Sequence, residues 1–122
     1  MEEIDLLIKV IKEQAEIFLL DAGEFFPFGT YINKKNEVVP YGVYIEDDND
    51  RPQSQSLIDM LERGIRTRIN TGECIVGALA YDIFVHENQE KFDAMVIRIF
   101  ENDTFVERCF KYCIHENHVD FF

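Results

Sequence analysis

Cys74-Ile75-Val76-Gly77-Ala78-Leu79-Ala80-Tyr81-Asp82-Ile83-Phe84-Val85-His86 is the stretch on which the fold turns. Taken at the two-residue period of a strand, it is apolar on both faces. Ile75, Leu79, Tyr81, Ile83 and Val85 share one face, and Cys74, Val76, Ala78, Ala80 and Phe84 share the other. A strand of this kind belongs in the middle of a sheet with both sides covered.

Downstream, Phe92 to Phe100 and Thr104 to Ile114 read as two more strands. Asn102-Asp103 sits at the centre of the tight link between them. A two-residue turn there sets Phe100 opposite Phe105, Arg98 opposite Glu107 and Val96 opposite Cys109, an aromatic pair and an ion pair in one ladder. The link from His86 to Phe92 is less defined. It suggests that Arg98 lies diagonally from Asp82, giving a cross-strand row of Asp82, Arg98 and Glu107.

Upstream, the apolar positions Ile4, Leu7, Ile8, Ile11, Ala15, Phe18 and Leu19 have helical spacing, so Glu3 to Asp21 is an amphipathic helix ended by Gly23. Leu6, Val10, Ile17 and Leu20 widen its apolar stripe, which implies two neighbours or an oligomer contact. Phe25 to Ile32 and Val38 to Ile45 form a hairpin around Asn33-Lys34-Lys35-Asn36. Pro27 and Pro40 put at least one of these strands near a sheet edge. After the charged loop Glu46-Asp47-Asp48-Asn49-Asp50-Arg51-Pro52, Ser54 and Ser56 offer caps to a second helix through Leu57, Ile58, Leu61, Ile65 and Ile69, closed by Gly72. Its other face carries Arg63, Arg66 and Arg68, which are expected to pair with the acidic loop.

The element order is helix, two strands, helix, three strands, over one domain spanning residues 1–122. We expect an α+β fold in which two helices pack on a five-stranded antiparallel sheet. The same element order occurs in roadblock and profilin-like folds, an analogy of order alone. Either the helices flank opposite faces of the sheet, or both cover one face and a second chain closes the other. The second arrangement makes a homodimer that buries Val76, Phe84, Val96, Phe100 and Phe105.

The chain of 122 residues is long enough to bury roughly two-thirds of its unfolded surface without disulfides. Twenty-four acidic against twelve basic residues give a net charge of −12, which disfavours nucleic acid and anionic membrane surfaces as partners and favours a basic protein. No apolar run approaches the roughly 20 residues of a membrane helix. Three cysteines, an odd number, and an N-terminus without signal-peptide layout point to a reduced, cytoplasmic setting.

Among candidate sites, Asp82 stands out as a carboxylate inside an apolar strand, where desolvation raises its pKa. Glu24, between Gly23 and the aromatic Phe25-Phe26, is either a working carboxylate or a charge in a turn. Cys113-Ile114-His115-Glu116-Asn117-His118-Val119-Asp120 holds several metal-capable side chains, and His86 lies within conceivable reach of them. The plainer reading is a tail that packs Phe121-Phe122 and leaves the histidines exposed, so neither metal nor cofactor is assigned. No nucleophile motif and no phosphate-cradling loop is present, and no catalytic residue is assigned.

At Ala22-Gly23-Glu24-Phe25-Phe26-Pro27-Phe28-Gly29, and again at Ala80-Tyr81-Asp82, the chain resembles a group of small bacterial proteins that share an AGEF-aromatic-PFG stretch. The resemblance implies a bacterial, intracellular single domain and brings no activity with it. It makes Glu24, Phe28, Gly29, Tyr81 and Asp82 the first positions to test.

Three functions follow as expectations. The first is an acidic interaction module, in the manner of small immunity proteins that bind a basic toxin or nuclease, using the edge Glu46, Asp47, Asp48 and Asp50. The second is a small enzyme or ligand-binding domain with a cleft around Glu24, Phe28, Tyr81, Asp82 and Arg98. The third is a self-associating structural subunit.

Overall fold

The computed structural model describes residues 2–42 and 54–122. The acidic edge Glu46, Asp47, Asp48 and Asp50 lies outside them, as does the loop expected to pair with the arginines.

The first amphipathic segment is α1 (Glu2–Ala22), with Leu7, Ile11, Ala15 and Leu19 buried on one face. Gly23 adopts φ 75° and its N–H donates to the Leu19 carbonyl at 2.8 Å, a left-handed cap that ends the helix. β1 (Phe28–Asn33) and β2 (Val38–Tyr41) form the first hairpin. Asn33 Oδ1 accepts from the Lys35 and Glu37 N–H groups, and Asn36 takes φ 63° to close the turn. α2 (Ser54–Asn70) follows, then β3 (Cys74–Glu87), β4 (Glu90–Glu101), β5 (Thr104–Ile114) and β6 (Val119–Phe121).

The six strands make one antiparallel sheet in the order β2-β1-β3-β4-β5-β6. β3 is interior, as its two apolar faces require, and Pro40 lies on the edge strand β2, where a missing N–H costs no ladder bond. The expected count of five strands is corrected to six. The additional strand, β6, is three residues long and pairs Val119 to Ile114, which is too short to show a period in sequence.

The helices flank opposite faces. α1 packs over Ile32, Val76, Ala78, Ala80, Met95, Ile97 and Ile99, while Ile58, Leu61 and Ile65 of α2 pack over Leu79 and Phe100. Gly77 makes the second contact close: a Cβ there would lie 2.6 Å from Ile65 Cγ2. The arrangement needing a second chain is thereby overturned, because Val76 and Phe100 are buried by this chain's own helices. Only Phe84 and Phe105 of that set stay substantially exposed. β3 is buried from Val76 to Ala80 and becomes partly or fully exposed from Tyr81 onward, while Met95 and Ala94, opposite Asp82 and Ile83 on β4, stay buried.

Each expected β4–β5 pair is present: Phe100 with Phe105, Arg98 with Glu107 and Val96 with Cys109. The β3–β4 register differs from expectation. Asn88 and Gln89 both take positive φ in a two-residue turn that pairs Glu87 with Glu90, and this sets Asp82 opposite Met95 and Arg98 opposite Leu79. Asp82 and Arg98 therefore point to opposite sides of the sheet, and the proposed row loses Asp82.

Candidate functional site

The register divides the sequence-derived site residues into two groups. Glu24, Phe28 and Asp82 belong to the α1 side of the sheet, and Tyr81 and Arg98 to the α2 side.

On the α2 side most of the polar groups pair with one another, the buried Arg68 Nε being left without a hydrogen-bond partner. Arg98 donates from Nη1 to Glu62 Oε1 at 2.9 Å and from Nε to Glu107 Oε2 at 3.1 Å. The Tyr81 hydroxyl donates to the same Glu107 oxygen at 3.0 Å. Burial and the Glu107 carboxylate both push the Tyr81 hydroxyl's pKa up, so it stays a proton donor. Arg66 pairs with Glu62 at 3.1 Å and lies over the Phe100 ring. Arg68 stacks on Tyr41 and faces Glu73 at 3.6 Å. Together these contacts bind α2 to β3, β4 and β5, and Tyr81 and Arg98 act as structural ties.

On the α1 side an aromatic corner surrounds a cavity. After the Gly23 cap the chain turns sharply through Glu24, Phe25, Phe26 and Pro27 into β1. Phe28 meets Phe18 of α1 and Phe25 edge-on, with ring centroids 5.4 and 5.6 Å apart. A cavity of about 300 Å³ opens beside these rings, walled by Phe18, Phe25, Phe26, Pro27 and Phe28. Asp21 and Glu24 supply its carboxylates. Phe26 is 50% exposed and Phe18 43%, large values for aromatic side chains in an ordered turn and helix.

Asp82 lies beyond the last β1–β3 pair, Phe28 with Ala80, and does not line the cavity. The buried Tyr112 hydroxyl donates to its Oδ1 at 2.8 Å. Asp82 is itself exposed, which corrects the expectation of a carboxylate enclosed in the apolar strand, and partial desolvation together with the charges of Asp93 and Glu24 raises its pKa against the lowering effect of the Tyr112 bond. Burial and Asp82 together drive the Tyr112 hydroxyl far above the ordinary phenol range. Among the described residues no lysine or arginine forms an ion pair with Glu24, Asp82 or Asp93. This corner thus combines an apolar hollow with carboxylates that no described lysine or arginine pairs with.

Phe18, Phe25, Asp93 and Tyr112 were not singled out from sequence. Phe18 reads there as core and Phe25 as the start of the first strand, which in the structure begins only at Phe28. Asp93 and Tyr112 reach Asp82 only through the β3–β4 register, and the Asn88-Gln89 turn that sets it lacks the glycine that usually marks such a turn.

The tail packs Phe121 against Tyr112, but Phe122, expected to pack as well, is 64% exposed; the histidines are exposed. Nevertheless the β5–β6 turn gathers His115, His118 and Asp120, whose ligand atoms all lie within 4.8 Å of one another. His86, on the β3–β4 hairpin, is not among them. The three cysteines are free thiols; burial pushes that of Cys74 up to about 11.

No described helix is long and apolar enough to cross a membrane. No protein-family model, no curated protein and no solved structure matches the chain.

Proposed function

We propose that this protein is a binding module whose site is the aromatic hollow at the α1–β1 corner, and that it takes a cationic group with an apolar body, the arginine or lysine side chain of a basic partner protein. The observation that carries the reading is the hollow itself. Four phenylalanines and a proline wall it, Asp21 and Glu24 supply its charge, and among the described residues no lysine or arginine pairs with Glu24. Aromatic faces attract guanidinium and ammonium groups, and a carboxylate beside an apolar wall orients them. The net charge of −12 draws a basic partner from a distance and repels phosphate polymers. An immunity-like role is one form of this reading, with the acidic edge at Glu46, Asp47, Asp48 and Asp50 adding long-range attraction.

The test uses benzylguanidinium against benzyl alcohol, which share an aromatic body and differ in charge. Calorimetry should show the cation binding more tightly by roughly fivefold or more, equivalent to about 1 kcal/mol. Glu24→Gln should erase the difference, and Phe26→Ala should weaken both probes. Equal affinities in the wild-type protein would contradict the reading.

Self-association is a second reading, and a different observation favours it. Leu6, Ile17 and Leu20 lie on the outer face of α1, 40%, 66% and 39% exposed. Sedimentation at high micromolar concentration separates the two readings: a dimer that Ile17→Glu abolishes supports self-association, and a monomer removes it.

A further inference from the structure

We infer that the β5–β6 turn is a binding site for one divalent transition-metal ion, held by His115, His118 and Asp120. The turn is built by residues 115–118, with the His115 N–H donating to the His118 carbonyl at 2.9 Å. The Ile114–Val119 and Cys113–Asp120 pairs fix its two arms. Val119 is buried against the α1 core, and its N–H donates to Glu16 Oε2 at 2.9 Å, so the arm that carries His118 and Asp120 is anchored to the helix.

On this frame the two imidazoles stack, with centroids 4.5 Å apart and planes 16° from parallel. Both turn Nε2 toward a single carboxylate. His115 Nε2 lies 2.9 Å from Asp120 Oδ2, and His118 Nε2 lies 3.6 Å from Asp120 Oδ1. A tetrahedral ion with ligands at about 2.0–2.1 Å needs donor atoms about 3.3 Å apart; the two His–Asp separations, made to different Asp120 oxygens, lie near that edge, and the three ligand atoms, all within 4.8 Å of one another, draw together by side-chain rotation to close the site. The donor set selects the ion's class. Two imidazoles and a carboxylate suit zinc, cobalt, nickel or copper, whereas magnesium and calcium take oxygen ligands. Three protein ligands leave a remaining position for water or for a group brought by a partner. All three side chains are exposed, so the ion has open access.

The test is calorimetric titration of the full chain with zinc chloride in a non-coordinating buffer, in the presence of excess magnesium. One zinc per chain is expected, with a rise in melting temperature through linkage. His118→Ala and, separately, His115→Gln with His118→Gln should each weaken zinc binding by at least about tenfold, the effect of losing a direct ligand. These positions are exposed, and circular dichroism of each variant confirms that the sheet is retained. The inference is overturned if wild-type protein takes up no zinc, if the double variant binds it as tightly as wild type, or if magnesium displaces it. The last two results would place the ion on carboxylates elsewhere.

Discussion

The two sides of the sheet are built from the same residue types and treat charge in opposite ways. On the α2 side, Glu62, Glu73 and Glu107 each face an arginine in contacts that tie α2 to the sheet, and Glu87 pairs with Lys111 farther along the hairpin. On the α1 side, desolvation and the charges of Asp93 and Glu24 raise the cost of ionising Asp82, whose side-chain hydrogen-bond partner is the Tyr112 hydroxyl. Burial is similar: Leu7, Ile11 and Ala15 of α1 and Leu61 and Ile65 of α2 are all fully covered. The difference lies in which carboxylates the described lysines and arginines pair with. Carboxylates without such a pair beside an aromatic hollow lower stability, and a cationic partner offsets that cost on binding.

Core truncation gives the largest expected effect and checks that the two sides are equally well packed. Ile11→Ala on α1 and Leu61→Ala on α2 should each lower unfolding free energy by about 2–5 kcal/mol in urea titrations. A loss under about 1 kcal/mol on either side would mean that this helix is not part of a true core. Arg98→Ala comes next. It leaves Glu62 and Glu107 without their shared cation and should cost about 2 kcal/mol at neutral pH. Arg98→Lys should recover only part of this, since an ammonium cannot form the fork to both carboxylates.

The smallest effect is expected at Asp82 and has the opposite sign. Its folded-state pKa is raised, so the folded chain holds this proton more tightly than the unfolded chain. Its contribution to stability is therefore complete in acid and declines as pH rises above about 4 through the folded value. Asp82→Asn keeps an acceptor for the Tyr112 hydroxyl and removes the charge. Melting curves of the two proteins should converge in acid, and the variant should melt higher at neutral pH. A variant that melts lower at neutral pH would place Asp82 with the compensated charges, and the contrast between the two sides would fail there.

Much of this architecture was legible in the sequence because local rules carried it. The helical spacing in α1, the left-handed glycine at its end and the two-sided apolar strand each led to the element observed. The Asn102-Asp103 turn gave the β4–β5 register pair by pair. Where the reading failed, the deciding contact was nonlocal or the turn signal was weak. Asn88-Gln89 turns without glycine, which left Arg98 assigned to the wrong side of Asp82. β6 exists because Val119 finds the α1 core and Glu16 caps its N–H, contacts made by residues 103 positions apart. Of the candidate site, Glu24 stood out as a carboxylate between Gly23 and Phe25-Phe26, and Phe28 through the resemblance around Ala22-Gly29. The third aromatic wall, Phe18, came from a helix position that periodicity assigns to the core.

The most direct measurement is a ¹H–¹⁵N correlation spectrum of the protein titrated with benzylguanidinium. The account predicts saturable shifts concentrated at residues 18–28 and at Asp82, with little change at Glu62, Tyr81, Arg98 or Glu107. Shifts centred on Glu62 and Glu107, or spread evenly over the acidic surface without saturation, would contradict it.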